Sequence, residues 1–295
     1  MSGNGLEFLP QPEGRYLELV TEAIETEEEA WAEALHRENS LSDASWSDFG
    51  RKWPSYDMLG ETAYALKERF AISRRSESPL VSLSHPVWMR DRRLALAGEM
   101  LKISKEIGKV DTTATIMPAN WCFTPSQLHD LDPKQLAQSL YMMIYRYAGD
   151  KAKGFLLAGL HGEYDKTRSV IWLHVHLWLG GEMVQVLDNL RQSKKLQGPT
   201  VIVDGKRKKR RAIRISRKKL VNRPSPYTYI LQSFWPSRMY FDARSAEPKR
   251  GPRSRIEEPA HTDVLLWLDR WKLSDISFMM GLKATRDGLT LTRRM

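Results

Sequence analysis

Apolar residues recur at helical spacing over residues 15–37. Tyr16, Leu19, Val20, Ala23, Ile24, Ala30, Trp31, Ala34 and Leu35 form one stripe, and Glu25, Glu27, Glu28 and Glu29 lie off it. That pattern predicts one amphipathic helix. A Ser/Asp-rich stretch, Asn39–Ser47, follows it. Residues 57–71 and 87–107 predict two more helices, separated by a loop at Ser73–Pro86 that holds two prolines. The first 108 residues thus read as helical, acidic and potentially separate from the rest.

The pattern then changes. Thr112–Pro118 is short and β-branched, which predicts a strand, and Asn120–Asp132 reads as a loop. Pro133–Tyr147 predicts a helix, with Asp132 as its N-cap and proline at its first position. Gly154–Tyr164 and Ser169–Leu179 both read as strands, joined by the polar turn Asp165–Arg168. Gly180 and Gly181 end the second strand, and Glu182–Ser193 returns to helical spacing. Strand, helix, strand, strand, helix predicts an α+β fold. Its core is an antiparallel sheet with helices on one face, the ferredoxin-like arrangement, extended by helical N- and C-terminal additions.

Further along, Thr200–Val203 and Ala212–Ser216 are expected to pair as a basic hairpin. Tyr227–Trp235 reads as a helix after Pro224 and Pro226, residues 241–259 as a Pro/Arg-rich loop, and Thr262–Leu282 as an amphipathic helix. Within that last stretch, Ser277 and Gly281 are spaced as in the first helix and turn of a helix-turn-helix; the alternative is a core-packing helix. The chain divides on this reading into 1–108, a core at 109–240 with a basic arm at 194–219, and 241–295.

Composition narrows the classes. The chain has 295 residues, 41% of them hydrophobic and 28% charged, enough apolar material for a true core. The longest uncharged apolar stretch, around Ile171–Gly181, is about half a bilayer span and is interrupted by two histidines, so no membrane helix is expected. Met1–Pro12 lacks the basic start and apolar run of a secretory signal. The single cysteine, Cys122, excludes an internal disulfide and a multi-cysteine zinc site. A reducing prokaryotic cytoplasm is the expected location.

Charge adds a partner. Lys+Arg number 46 against 36 Asp+Glu, a net +10. Residues 1–70 hold 6 basic and 15 acidic residues, whereas residues 201–255 hold 17 basic and 3 acidic. An excess so concentrated points to a polyanion, most simply nucleic acid. Its candidate contacts are Lys206, Arg207, Lys208, Lys209, Arg210, Arg211, Arg214, Arg217, Lys218 and Lys219.

The chemistry concentrates in Ile171-Trp-Leu-His174-Val-His176-Leu-Trp-Leu179. On a strand, residues two apart share a face roughly 6.5–7 Å apart. His174 and His176 can therefore converge on one divalent ion. The preceding strand offers His161 and Glu163 at the same spacing, and a hairpin would bring Glu163 near the pair. A cupin-like metal site also uses His-x-His. Here, however, no histidine follows until His261, and the Pro133–Tyr147 helix does not suit an all-β barrel.

The order of these segments resembles the HUH endonucleases, in particular the rolling-circle replication initiators and their transposase relatives. Three motifs carry the likeness. Thr112-Thr-Ala-Thr-Ile-Met-Pro118 is similar to the family's first strand. Glu163 followed by His174-Val-His176-Leu-Trp-Leu is similar to its metal motif, and Pro226-Tyr-Thr-Tyr229-Ile-Leu-Gln232 to its tyrosine motif. The likeness spans residues 110–240. It implies metal-dependent nicking and rejoining of single-stranded or hairpin DNA at an origin, with Mn or Mg held by His174, His176 and Glu163. It implies a phosphotyrosine on Tyr229 or, in the alternative register, Tyr227. It implies no small-molecule cofactor. The family's lysine three residues after the tyrosine is here Gln232, with Arg238 as a substitute base. That departure keeps a second reading open, a non-catalytic DNA- or RNA-binding regulator on the same fold.

Overall fold

The computed structural model describes residues 5–42, 57–149, 153–193, 195–203, 206–218, 220–232, 235–238 and 253–292. Its centre is the hairpin of β3 (Gly154–Asp165) and β4 (Val170–Gly181), in register from Gly154↔Gly181 to Asp165↔Val170. Asp165 closes the turn: its carboxylate accepts from the Thr167 and Arg168 backbone N–H groups at 3.0 and 3.3 Å. β1 (Thr112–Ile116) pairs antiparallel with β4, and β7 (Ile213–Ile215) with β1. Helix α5 (Pro133–Ala148) lies between β1 and β3 in the chain, and α6 (Met183–Gln192) between β4 and β7.

The resulting order, β7-β1-β4-β3, is the split βαββαβ arrangement that the segment order predicts. Asp132 caps α5 as expected, accepting from the Lys134 N–H at 2.8 Å. The short β2 (Cys122–Phe123) pairs with the start of β4. The outer edge of β3 is shared. β9 (Ser277–Met280) runs antiparallel along Leu156–Gly159, and β8 (Ser237–Arg238) runs parallel at Tyr164–Asp165.

The pleat sorts the hairpin into two faces. Ile171, Leu173, Val175, Leu177 and Leu179 face one side with Leu156, Ala158 and Leu160, all of them buried. They pack with Leu140 and Ile144 of α5 and Leu187 and Leu190 of α6. His174, His176 and Trp178 face the other side with Leu157, Gly159, His161 and Glu163. This second face is not open along its length. Helix α4 (Pro86–Glu106) joins the same buried cluster, contributing Leu94, Leu96 and Met100 alongside Phe155 and Trp178. A second cluster holds Ala34 and Leu41 of α2 (Glu27–Ser42), Ala63, Leu66 and Phe70 of α3 (Asp57–Arg75), and Leu265 and Leu266 of α8 (Ala260–Asp269). Among the described residues no helix is long and apolar enough to cross a membrane.

Four expectations are corrected. The helix expected over residues 15–37 is two helices, α1 (Gly14–Thr21) and α2. A capping box breaks it: the Glu29 N–H donates to Thr26 Oγ1 at 3.1 Å, and the Thr26 N–H donates to the Glu29 carboxylate at 2.8 Å. β5 (Thr200–Val203) pairs with β6 (Lys206–Lys209), not with residues 212–216, and β7 instead extends the main sheet. Asp204-Gly205 between β5 and β6 is a two-residue hairpin signal. The helix expected over Tyr227–Trp235 is only α7 (Ser225–Thr228). The fourth concerns Thr262–Leu282. After α8 come a 3-10 turn at Leu273–Asp275 and then β9, while β10 (Leu282–Thr285) and β11 (Gly288–Leu291) form a hairpin. No helix-turn-helix forms there, because β3 takes Ser277–Met280 as an edge partner. The loop expected over residues 241–259 lies outside the described residues up to residue 252.

The chain after α7 crosses β3 in close contact. A Cβ added at Gly159 would lie 1.9 Å from the Ile230 carbonyl oxygen, a backbone atom that cannot rotate away. Gly159→Ala is therefore expected to cost roughly 1–3 kcal/mol by overpacking. It should lower the urea midpoint at unchanged m-value and displace the segment that carries Tyr229.

Candidate active site

Strand register assembles the site. Thr115, His176 and Gly159 occupy one row across β1, β4 and β3, with Arg214 beside Thr115 on β7. His174 and His161 face each other in the next row, and Glu163 lies beyond, opposite Trp172. The Nε2 atoms of His174 and His176 converge to 3.2 Å. Their other nitrogens face away, His176 Nδ1 at 3.3 Å from Thr115 Oγ1 and His174 Nδ1 at 3.4 Å from the Trp172 carbonyl. A carbonyl partner places the proton on Nδ1 and leaves the Nε2 lone pair facing its neighbour. Two nitrogens about 2.1 Å from one ion lie roughly 3.0–3.4 Å apart, so the pair suits a shared cation.

The third histidine has a different role. The His161 ring lies 4.7 Å from that of His176, but its Nε2 sits 3.1 Å from the Ile230 carbonyl and 3.3 Å from the Gln232 N–H. It ties the tyrosine segment to β3. Glu163 is turned to Arg238, whose Nε lies 3.2 Å from its carboxylate. That ion pair also accounts for Arg238, the expected substitute base. Among the described residues no three His, Cys, Asp or Glu side chains converge in ligand geometry. The structure thus brings two of the three expected ligands together and places the third in the neighbouring row. These side chains line a cavity of about 130 Å³ with Gln232, Arg214, Arg238 and Arg253.

Burial sets the protonation. It lowers the His176 imidazole to about 3, with His174 and Arg253 adding to the effect and Glu163 opposing it. Burial, then His176 and His174, hold His161 well below the ordinary histidine range. Both are neutral at pH 7, the form that can ligate a metal.

The two tyrosines part company. Tyr227 is 1% exposed, and its hydroxyl donates to Asp111 Oδ2 at 2.6 Å. Burial, then that hydrogen bond, push its phenol well above the ordinary tyrosine range. Tyr229 is 39% exposed, its ring 6.4 Å from that of His176, with the Arg253 guanidinium 5.7 Å from its centroid. Residues two apart on a helical turn diverge by about 200°, so burying one phenol turns the other outward.

The basic arm is only partly at the site. The side chains of Lys206, Arg207 and Lys208, and all of Lys219, lie outside the described residues. Lys209 donates to Gln197 at 2.6 Å, and Arg217 donates to Asp188 of α6 at 2.6 Å. Arg210 is half-buried, and Arg211 and Lys218 are exposed. Among the described residues of the arm, Arg214 and Ala212 line the histidine cavity, and Arg214 brings the charge. Sequence reasoning did not single out Arg253, Asp111 or Arg93, which reach the site from distant segments. No family model, characterised protein or solved structure matches the chain.

The buried histidines carry a pH consequence. His176 has a folded pKa near 3 against 6.5 for the free group, so below about pH 6.5 the unfolded chain binds a proton that the folded chain does not. Stability is full above that value and falls as pH drops toward 3, by about 1.4 kcal/mol per pH unit for each such histidine. Urea unfolding at pH 7, 6 and 5 should show this slope, and His176→Asn should reduce it by one histidine's share while His161 keeps the rest.

Proposed function

We propose that the chain nicks and rejoins single-stranded DNA through a phosphotyrosine on Tyr229, initiating rolling-circle replication of a plasmid, phage or mobile element. One observation carries this reading. The exposed Tyr229 ring lies 6.4 Å from the His176 ring of the His174–His176 pair and 5.7 Å from the Arg253 guanidinium, while Tyr227 is locked to Asp111. In the reaction, the Tyr229 phenol oxygen bonds to phosphorus and the P–O3′ bond breaks. The phenol proton is passed, through solvent, to the departing 3′ oxygen, which leaves as a hydroxyl. Rejoining reverses these steps, and the phosphotyrosine conserves the bond energy meanwhile. A divalent ion, Mn or Mg, on His174 and His176 would polarise the phosphate oxygens. Arg253, Arg214 and Arg238 give the cavity the positive potential that binds and holds the phosphodiester.

A second reading keeps the DNA and drops the chemistry. Gln232 occupies the place of the family's lysine, and Glu163 is ion-paired with Arg238. Both features favour a nucleic-acid-binding regulator on the same fold.

Incubation with single-stranded oligonucleotides and Mn²⁺, followed by denaturing electrophoresis, separates the two. The wild type and Tyr227→Phe should both give a protein–DNA adduct. Tyr229→Phe should give none while retaining oligonucleotide affinity. Tyr227→Phe should also lose roughly 1–3 kcal/mol of stability, because a buried Asp111 oxygen loses a donor. An adduct-free wild type that still binds oligonucleotides would establish the regulator reading.

A further inference from the structure

Behind Tyr229 lies a larger opening that the histidine cavity does not account for. A cavity of about 620 Å³ and another of about 470 Å³ are both lined by Glu25, Arg93 and Gln232. Tyr229 borders the first, and Arg253 borders the second. Gln232 also lines the histidine cavity, so the three spaces meet beside the tyrosine motif.

Arg93 is the buried cation at that junction. It projects from α4, is 8% exposed, and donates from Nε to the Thr228 carbonyl at 3.2 Å, one residue before Tyr229. Its Nη1 meets both carboxylate oxygens of Glu25 at 2.5 and 2.6 Å. Glu25 is the more exposed partner, its side chain 27% accessible against 9% for Arg93. It sits in the break between α1 and α2 that the Thr26–Glu29 capping box creates, and Arg90 holds its backbone carbonyl at 2.9 Å. The acidic N-terminal region thereby delivers Glu25 to the junction of the two cavities, with Glu22 lining the first and Glu29 and Glu33 the second.

A guanidinium donates the same charge-assisted N–H···O bonds to a carboxylate or to a phosphate. We propose that Arg93 is a phosphate-binding residue of the Tyr229 site, and that Glu25 occupies it in the DNA-free protein as a built-in competitor. This rests on the reading of Tyr229 as the nucleophile only for the identity of the bound phosphate. It gives the tyrosine motif a cation from another helix where Gln232 supplies none. It also gives the acidic N-terminal region a role: DNA enters by displacing Glu25, and stray polyanions of low local charge do not.

The test uses the full chain and a labelled oligothymidylate read by fluorescence anisotropy. Glu25→Gln removes the competing charge and leaves Arg93 in place. It should bind about 3–10-fold tighter at low salt, with a log–log salt slope steeper by about 0.7, one further phosphate contact. Arg93→Gln should weaken binding about tenfold, and the double variant should show no gain from the Glu25 change. Unchanged or weaker binding by Glu25→Gln overturns the proposal and makes the pair a structural clamp between α4 and the α1–α2 break. Because that variant retains Arg93, the test stands whether or not Arg93→Gln folds. The outcomes also separate this proposal from nicking. Tighter binding without any adduct keeps the phosphate site and removes the nuclease. An adduct whose yield and affinity ignore Glu25→Gln does the reverse.

Discussion

The buried carboxylate of Asp111 is the contact on which the rest of the site depends. It accepts from the Tyr227 hydroxyl at 2.6 Å, the Trp178 indole at 2.7 Å, and Ser104 and Arg223 at 2.8 Å each. Those donors come from the tyrosine segment, the histidine strand, helix α4 and the turn before α7. Burial alone would raise its pKa, but the four donors together hold it below the ordinary aspartate range. A charge so enclosed is tolerable only while its donors are in place, so the carboxylate fixes the position of all four elements at once. With Tyr227 held inward, Tyr229 has no packing alternative to the cavity side. The crossing of the Ile230 carbonyl over Gly159, and its contact with His161, fix the same segment from its other end.

The periodic parts of this architecture were legible in sequence. The β3–β4 hairpin, its polar turn, helix α5 with its Asp132 cap, and the shared face of His174 and His176 all follow from spacing alone. What spacing could not supply were partners distant in the chain. Glu163 lies on the expected face, but its ion pair with Arg238 depends on β8, which joins β3 only in the folded sheet. Arg93 and Arg253 reach Tyr229 from 136 residues before it and 24 residues after it. The C-terminal misreading has a similar origin. Leu273, Ile276 and Met280 fit helical spacing, yet β3 offered an unpaired edge whose hydrogen bonds outweighed that preference. The α1–α2 break is different in kind, because Thr26 and Glu29 stand in the sequence at the spacing of a capping box.

Net charge also describes this molecule poorly. Several arginines that raise the total are already committed: Arg217 to Asp188, Arg223 to Asp111, Arg238 to Glu163 and Arg93 to Glu25. Most of these pairs link segments far apart in the chain. Their carboxylates come from both the acidic N-terminal region and the core, so the halves of opposite sign in the sequence are interleaved in the fold. Any long-range attraction for a polyanion would rest on the excess left after such pairing rather than on the total charge.

The cavity keeps its polarity without help from protons. Arg214, Arg238 and Arg253 line it against the single carboxylate of Glu163. His161 and His176 stay neutral because burial holds them low. Guanidinium groups remain charged across the whole physiological range. At His161 and His176 the positive field near neutrality therefore comes from arginine placement rather than from their own protonation. That division of labour suits a site where uncharged nitrogens are needed beside a positive field. Protonated imidazoles would supply the field but lose the lone pairs. Arginines at the rim supply it and leave the Nε2 atoms of the pair available.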